Sequence, residues 1–133
     1  MPNEDVVLIG SATDIVTARQ KGRSLAAELG FDSAQATAVA AAISEVSRNI
    51  VEYAKCGEII LRIENRDGKR GLCIVARDHG PGIADVAQAM QYGYSSRKGL
   101  GVGLPGAKWL MDEFIIESSV GIGTIITMKK WLD

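Results

Sequence analysis

Two glycine-rich segments constrain this chain more than any other feature of its sequence. The first, residues 78–83, is Asp-His-Gly-Pro-Gly-Ile, and the second, residues 99–104, is Gly-Leu-Gly-Val-Gly-Leu. Glycine lets backbone amides approach an anion closely, and a helix that begins just after such a loop adds its positive end. The second segment therefore predicts a phosphate-binding loop. Between the two segments lies a polar run with Arg97 and Lys98, which predicts a basic lid over a nucleotide.

The hydrophobic pattern predicts a strand, two helices, a hairpin, further helical segments and a closing hairpin. Predicted strands cover residues 5–10, 58–65, 71–77, 113–118 and 124–131, and predicted helices cover residues 12–29, 33–54, 84–91 and 104–111. A chain of 133 residues forms one domain, 1–133. The simplest way to bury the apolar faces is one helical layer on a mixed, mainly antiparallel sheet. We therefore predict an α+β two-layer sandwich.

The second predicted helix carries both an apolar stripe and a polar pair. At 100° per residue four side chains should face the sheet: Val39, Val46, Ile50 and Tyr53. Glu45 and Asn49 lie one helical turn apart at the edge of this stripe. Two interpretations remain open for them. They form either a border pair with local hydrogen bonds, or a site in which Asn49 binds a hard cation and Glu45 accepts a proton.

Asp78 also allows two interpretations, because Asp-x-Gly-Pro-Gly is favourable turn chemistry. A buried aspartate at a strand end is, alternatively, a specific acceptor for the exocyclic amine of adenine. We interpret His79 as a solvated loop residue. Residues 101–106 formally match the dinucleotide fingerprint GxGxxG, but a polar loop and not a strand precedes them. A dinucleotide-binding fold is therefore excluded, and no P-loop motif occurs.

The composition excludes several classes of function. The net charge is −1, so the chain has no positive excess that would favour nucleic acid or an anionic membrane. Its two cysteines, Cys56 and Cys73, lack the spacing of a zinc site or a disulfide framework and fit a reducing compartment. Neither a signal peptide nor an apolar run of membrane-spanning length is visible. We expect a cytoplasmic protein with no nucleic-acid partner and no membrane partner.

Four motifs stand in a defined order along the chain: Glu45-Val-Ser-Arg-Asn49, the segments 78–83 and 99–104, and Gly123-Thr124. In this order the chain resembles the Bergerat-fold (GHKL) ATPases and kinases, and the resemblance covers essentially its whole length. In its small size the chain resembles the anti-sigma-factor serine kinases of bacteria. Within that branch the similarity is to the switch kinases of the stressosome, carried by residues 14–31, 42–50, 80–83, 99–108 and 110–114.

The resemblance implies a role for each matching position. Glu45 would be the general base, Asn49 would coordinate Mg²⁺ on the ATP phosphates, and Asp78 would bind the adenine amine with support from Thr124. Further ATP-binding positions would be Gly80, Gly82 and Ile83 in the first loop and Gly99, Gly101, Gly103 and Leu104 in the second. To these implied roles we add a predicted contact of Arg97 or Lys98 with the γ-phosphate.

The resemblance also implies an activity and partners. It predicts an ATP- and Mg²⁺-dependent serine/threonine kinase that phosphorylates STAS-domain proteins and, once released from them, activates a PP2C-type phosphatase. An anti-sigma factor, or an ATP-dependent binding module with little turnover, is the alternative. The presence of Glu45 favours a kinase that transfers phosphate over a module that only binds ATP and a partner. A histidine kinase catalytic domain is disfavoured because no dimerisation helix with a phosphoacceptor histidine is present in the sequence.

Overall fold

A computed structural model describes residues 4–83, 86, 90 and 103–132 of the chain. In these residues five strands form one sheet, in the order β1-β2-β3-β5-β4. The strands are β1 (Glu4–Ile9), β2 (Gly57–Arg66), β3 (Lys69–Asp78), β4 (Glu113–Ser119) and β5 (Gly123–Trp131). The helices are α1 (Ala12–Leu29), α2 (Ser33–Asn49) with a π-helical turn over Ile50–Ala54, and α3 (Gly103–Leu110).

The predicted α+β two-layer architecture is confirmed, with one difference in the sheet. All four strand pairings in the described part of the chain are antiparallel, whereas the sequence predicts a mixed sheet. The reason lies in the connection between β1 and β2, which contains two helices. The chain leaves the end of β1 through α1 and returns through α2, so Ile9 at the end of β1 pairs with Gly57 at the start of β2.

Local signals explain where the first two helices begin and end. At the start of α2 the backbone amide of Gln35 donates to Oδ1 of Asp32 at 2.8 Å, and the Asp32 amide donates to Oε1 of Gln35 at 3.4 Å. This reciprocal capping box satisfies amides that the first helical turn leaves without intrahelical partners. Helix α1 ends at Gly30, whose φ of 110° suits glycine. Both helices therefore begin and end close to the predicted positions.

The core lies between the three helices and one face of the sheet. On the predicted stripe of α2, Val39, Val46 and Ile50 are all buried. Tyr53 is 42% exposed, so the prediction that it faces the sheet is wrong. The π-helical turn explains the difference, because it holds more residues per turn than an α-helix and rotates the following side chains away from a 100° stripe.

The other face of the sheet carries charged side chains around a buried thiol. Cys73 is fully buried and lies in register between Arg62 of β2 and Lys129 of β5. Burial raises the pKa of the Cys73 thiol, and the positive charges of Arg62 and Lys129 only partly oppose this. No helix in the described part of the chain has the length and apolar character that crossing a membrane requires.

Candidate functional site

Several elements meet at one end of the sheet. Asp78, at the end of β3, pairs in register with Gly57 at the start of β2 and with Thr124 near the start of β5. Helix α2 ends at the same place, because only the π-helical turn and two further residues separate Asn49 from β2. The topology therefore brings together the predicted site residues Asn49, Asp78 and Thr124, which are far apart in the sequence.

Asp78 is a buried carboxylate with one of its two oxygens engaged by the protein. The residue is 6% exposed, and its Oδ1 accepts a 2.9 Å hydrogen bond from the amide of Gly80. Among the described residues, none donates to Oδ2. A buried acceptor of this kind is satisfied by a ligand with an N–H group, such as an amino-substituted ring. The geometry therefore suits the predicted contact with adenine.

A cavity of about 510 Å³ opens beside Asp78 and Thr124, which both line it together with Ser118 and Gly123. This volume lies in the usual range for small-molecule sites. The Thr124 side chain is almost fully buried and its hydroxyl lies 2.9 Å from the Ser118 hydroxyl. The pair presents hydroxyl groups next to the carboxylate, as a site for a polar heterocycle requires.

Ser118 is a site residue that the sequence analysis missed. Its Oγ accepts a 2.7 Å hydrogen bond from the amide of Ile83, which fixes the end of the first glycine-rich loop to β4. Residues 83 and 118 are distant in the chain, and a serine at a strand end carries no signal of its own. Only the β4–β5 pairing, which places Ser118 opposite Thr124, reveals it.

Gly80 and Gly82 are required by contacts within the protein itself. A Cβ on Gly80 would lie 2.5 Å from the Cβ of Ala54, and a Cβ on Gly82 would lie 2.3 Å from the carbonyl oxygen of Ser119. Gly82 also has a φ of 79°, which favours glycine. The two glycines thus let the loop pack between the π-helical turn and the end of β4. Their predicted contacts with a nucleotide stay a prediction.

Glu45 is held by two donors from different elements. Its Oε1 accepts a 2.9 Å hydrogen bond from Nη1 of Arg48, one turn along α2, and a 3.2 Å hydrogen bond from the amide of Gly103, the first residue of α3. The Glu45 and Arg48 side chains are 12% and 25% exposed. Oε2 receives no hydrogen bond from a described residue and is available to a proton donor. Arg48 was not among the predicted site residues, although its i,i+3 spacing from Glu45 is visible in the sequence.

The remaining predicted residues divide into three groups. Asn49 is half-buried, one turn beyond Glu45, and its amide oxygen is a ligand type that hard cations accept. Gly103 and Leu104 begin α3, and because the Leu104 side chain is 2% exposed in the core, only its backbone amide can contact a phosphate. Four further predicted residues lie outside the described residues: Arg97, Lys98, Gly99 and Gly101. So does most of the predicted helix 84–91.

The site therefore contains the groups that a magnesium–nucleotide complex needs. An amide oxygen and a carboxylate lie one turn apart on α2, and a buried carboxylate with one oxygen that no described residue contacts as a donor lies at the end of β3. The N-terminus of α3 adds amide donors and the positive end of a helix dipole. Such an arrangement can bind a base at one point and a phosphate chain with a cation at another.

Comparison with known proteins shows the family of this chain. Residues 10–130 match the family described as "Histidine kinase-like ATPase domain". Over 132 residues the chain is 48% identical to the serine/threonine-protein kinase RsbT of Bacillus subtilis (strain 168), covering 99% of both chains. Over 101 residues it is 38% identical to the anti-sigma F factor of Clostridium novyi (strain NT), covering 72% of this chain and 71% of that protein.

Two solved structures share the fold. One contains the RsbU and RsbW domains of a Mycobacterium tuberculosis protein, with a TM-score of 0.63 and 22% identity; the match covers 98% of this chain and 33% of that one. The other is the SiaB–SiaC complex of Pseudomonas aeruginosa, with a TM-score of 0.57 and 13% identity, and the match covers 96% of this chain and 89% of that one. At these identities the likeness shows a common architecture.

Proposed function

This chain belongs to the family of histidine kinase-like ATPase domains, and we propose that the site around Glu45 and Asp78 binds ATP and phosphorylates a partner protein. The protein is a serine/threonine kinase of the partner-switching kind, as its 48% identity over 99% of the chain to a named serine/threonine-protein kinase indicates. The observation that carries the proposal is the Glu45 carboxylate, whose Oε1 accepts from two donors while no described residue donates to Oε2.

In this proposal the nucleotide is bound at two points. Oδ2 of Asp78 accepts a hydrogen bond from the exocyclic amine of adenine, and the hydroxyl of Thr124 supports the base directly or through water. The phosphates lie toward the start of α3, where the amide of Leu104 is a candidate donor, since the Gly103 amide already donates to Glu45. The predicted contact of Arg97 or Lys98 with the γ-phosphate lies outside the described residues and stays a prediction. Guanine has a carbonyl where adenine has its amine, so Asp78 would reject it.

Asn49 would hold Mg²⁺ through its amide oxygen. The residue fits this role because it ends α2 beside Glu45 and presents an oxygen ligand of the type that hard cations prefer. The ion would supply charge neutralisation at the phosphates, which phosphoryl transfer needs more than covalent catalysis. The protein's own contribution is the fixed position of Asn49 at the junction between the α-helix and the π-helical turn.

The transfer step uses Glu45 as the general base. A serine or threonine hydroxyl of the partner donates its proton to Oε2 of Glu45 while its oxygen bonds to the γ-phosphorus, and ADP leaves with the electrons of the broken P–O bond. Arg48 and Gly103 hold the carboxylate so that Oε2 needs no reorientation during the reaction. The products are a phosphoserine or phosphothreonine and ADP.

STAS-domain proteins are the proposed substrates, and a PP2C-type phosphatase is the proposed second partner. The similarity to an anti-sigma factor as well as to a kinase supports a protein that acts by changing partners. Phosphorylation would lower the affinity for the STAS protein, because the added charge of about −2 disturbs a surface built for a neutral hydroxyl. The kinase would then be free for the phosphatase. Since ATP is an intracellular substrate, we place this cycle in the cytoplasm.

One alternative has direct support. The 38% identity to an anti-sigma F factor favours a protein that sequesters a partner with little turnover. Incubation with radiolabelled ATP, Mg²⁺ and purified STAS domains, followed by phosphosite mapping, separates the two. Acid-stable label on a serine or threonine supports the kinase, and Asp78→Asn should strongly reduce this label at low ATP concentration. ATP-dependent binding without transfer would establish the alternative, and acid-labile label would indicate a histidine kinase.

A further inference from the structure

Helix α3 presents a large apolar side chain to solvent. Trp109 is 80% exposed, although most of the same helix is buried: Gly103, Leu104, Pro105, Gly106 and Ala107. Leu104 and Ala107 belong to the hydrophobic core and anchor the helix to the rest of the fold. The indole is therefore largely outside the core, and its large apolar surface is accessible to another protein.

The position of α3 relates this tryptophan to the proposed reaction. The first residue of the helix, Gly103, donates its amide hydrogen bond to Glu45 at 3.2 Å. Trp109 follows six residues later, which corresponds to about 9 Å along the helix axis. A side chain that projects from the last turn of α3 is thus close to the proposed general base without belonging to the reaction centre.

A protein substrate covers more surface than the hydroxyl that reacts. Stable protein–protein contacts bury about 800 Å² on each partner, which corresponds to a disc with a radius of about 16 Å. A partner that brings a serine or threonine hydroxyl to Glu45 therefore extends over the outward side of α3. Buried tryptophans near the centre of such contacts contribute a large share of the affinity.

We infer that Trp109 is a docking residue for the phosphoacceptor protein, which receives the indole in an apolar pocket next to its reacting hydroxyl. This inference rests on the proposed kinase function. The pocket should carry an acidic group at its rim, because Lys108 is exposed beside Trp109. Trp109 touches neither ATP nor the reacting atoms, so it acts on recognition of the protein and not on the chemical step.

The kinetic test compares Trp109→Ala with Leu8→Ala. Leu8 is 72% exposed on β1, at the opposite edge of the sheet from β4, so its substitution removes a similarly exposed apolar side chain elsewhere. We expect Trp109→Ala to raise the KM for the STAS substrate at least tenfold, with the KM for ATP and kcat within twofold of wild type. Leu8→Ala should match wild type throughout. Equal KM values for the two variants would overturn the inference, as would a loss confined to kcat.

A direct test measures the fluorescence of Trp109 in a variant that lacks the second tryptophan, Trp131. In Trp131→Phe, Trp109 becomes the only tryptophan of the chain. With a tryptophan-free STAS domain, complex formation should shift the Trp109 emission to shorter wavelength and reduce its quenching by acrylamide. Unchanged emission in a complex demonstrated by calorimetry would refute the docking role while leaving the kinase intact. Absence of phosphorylation by the wild-type protein, in contrast, would reject the proposed function itself.

Discussion

The amide of Gly103 donates a hydrogen bond of 3.2 Å to Oε1 of Glu45, and this contact joins the start of α3 to the C-terminal part of α2. The same oxygen accepts from Arg48, so the carboxylate is fixed from two sides. The second glycine-rich segment therefore has a role in addition to the predicted phosphate contact. Its last glycine orients the side chain that the proposed mechanism uses as a base, and it couples the phosphate-binding helix to that base.

Glu45→Gln should abolish most of the kinase activity without changing the site. The amide oxygen of glutamine can still accept from Arg48 and Gly103, but the side chain can no longer take a proton. We expect kcat to fall by about 10²- to 10⁴-fold, the usual contribution of a general base. ATP affinity measured by calorimetry should stay within about threefold. Glu28→Gln, on the exposed side of α1, is the control and should keep full activity.

Asp78→Asn should weaken ATP binding by about 10- to 100-fold, because the group facing the adenine amine changes from an acceptor to a donor. The hydrogen bond from Gly80 can persist to the remaining carbonyl oxygen, so the loop should keep its conformation. Calorimetric titration with ATP and Mg²⁺ measures the effect, and circular dichroism checks the fold. A dissociation constant equal to that of the wild type would remove Asp78 from the base-binding site.

Much of the fold was predictable because its signals are local. The β-rich segments 58–65 and 71–77, with Asp67-Gly68 between them, predict a hairpin that the structure contains. Gly30 correctly marks the end of α1. The four motifs also indicate which residues should converge, and Asp78 and Thr124 do lie side by side in the sheet register.

Two features could not be read from the sequence, for physical reasons. The π-helical turn depends on how Ala54 packs against Gly80 and on the path into β2, which are tertiary constraints that no local propensity encodes. Ser118 enters the site only through pairing of distant strands. Arg48 is different, because its spacing from Glu45 is a recognisable ion-pair pattern and the interaction was available to sequence reasoning.

Ser47→Ala should make the protein more stable. The Ser47 hydroxyl is fully buried and has no hydrogen-bond partner among the described residues, so folding removes it from water without compensation. Ser44→Ala is a matched control on the same helix, since the Ser44 hydroxyl donates to the carbonyl of Ala40 at 3.0 Å. The two substitutions change helix propensity equally. Urea denaturation should show a free energy of unfolding about 1 kcal/mol higher for Ser47→Ala than for Ser44→Ala. The reverse order would show that the Ser47 hydroxyl has a hydrogen-bond partner in the folded protein.

Cys73 should make stability depend on pH in the alkaline range. Burial raises the pKa of its thiol in the folded protein. Above the unfolded pKa of about 8.5 the unfolded chain loses this proton first. The folded state then binds more protons than the unfolded state, so the free energy of unfolding decreases as the pH rises toward the folded pKa.

Two variants separate the contribution of this thiol. Cys73→Ala should lose the contribution of Cys73 to the slope of the unfolding free energy against pH, whereas Cys56→Ala should keep it because Cys56 is exposed. Urea denaturation at pH 7.5 and 9.5 measures both variants against the wild type. Since all titrating groups except the two thiols are common to the three proteins, equal slopes would show that the Cys73 thiol keeps its ordinary pKa in the folded state.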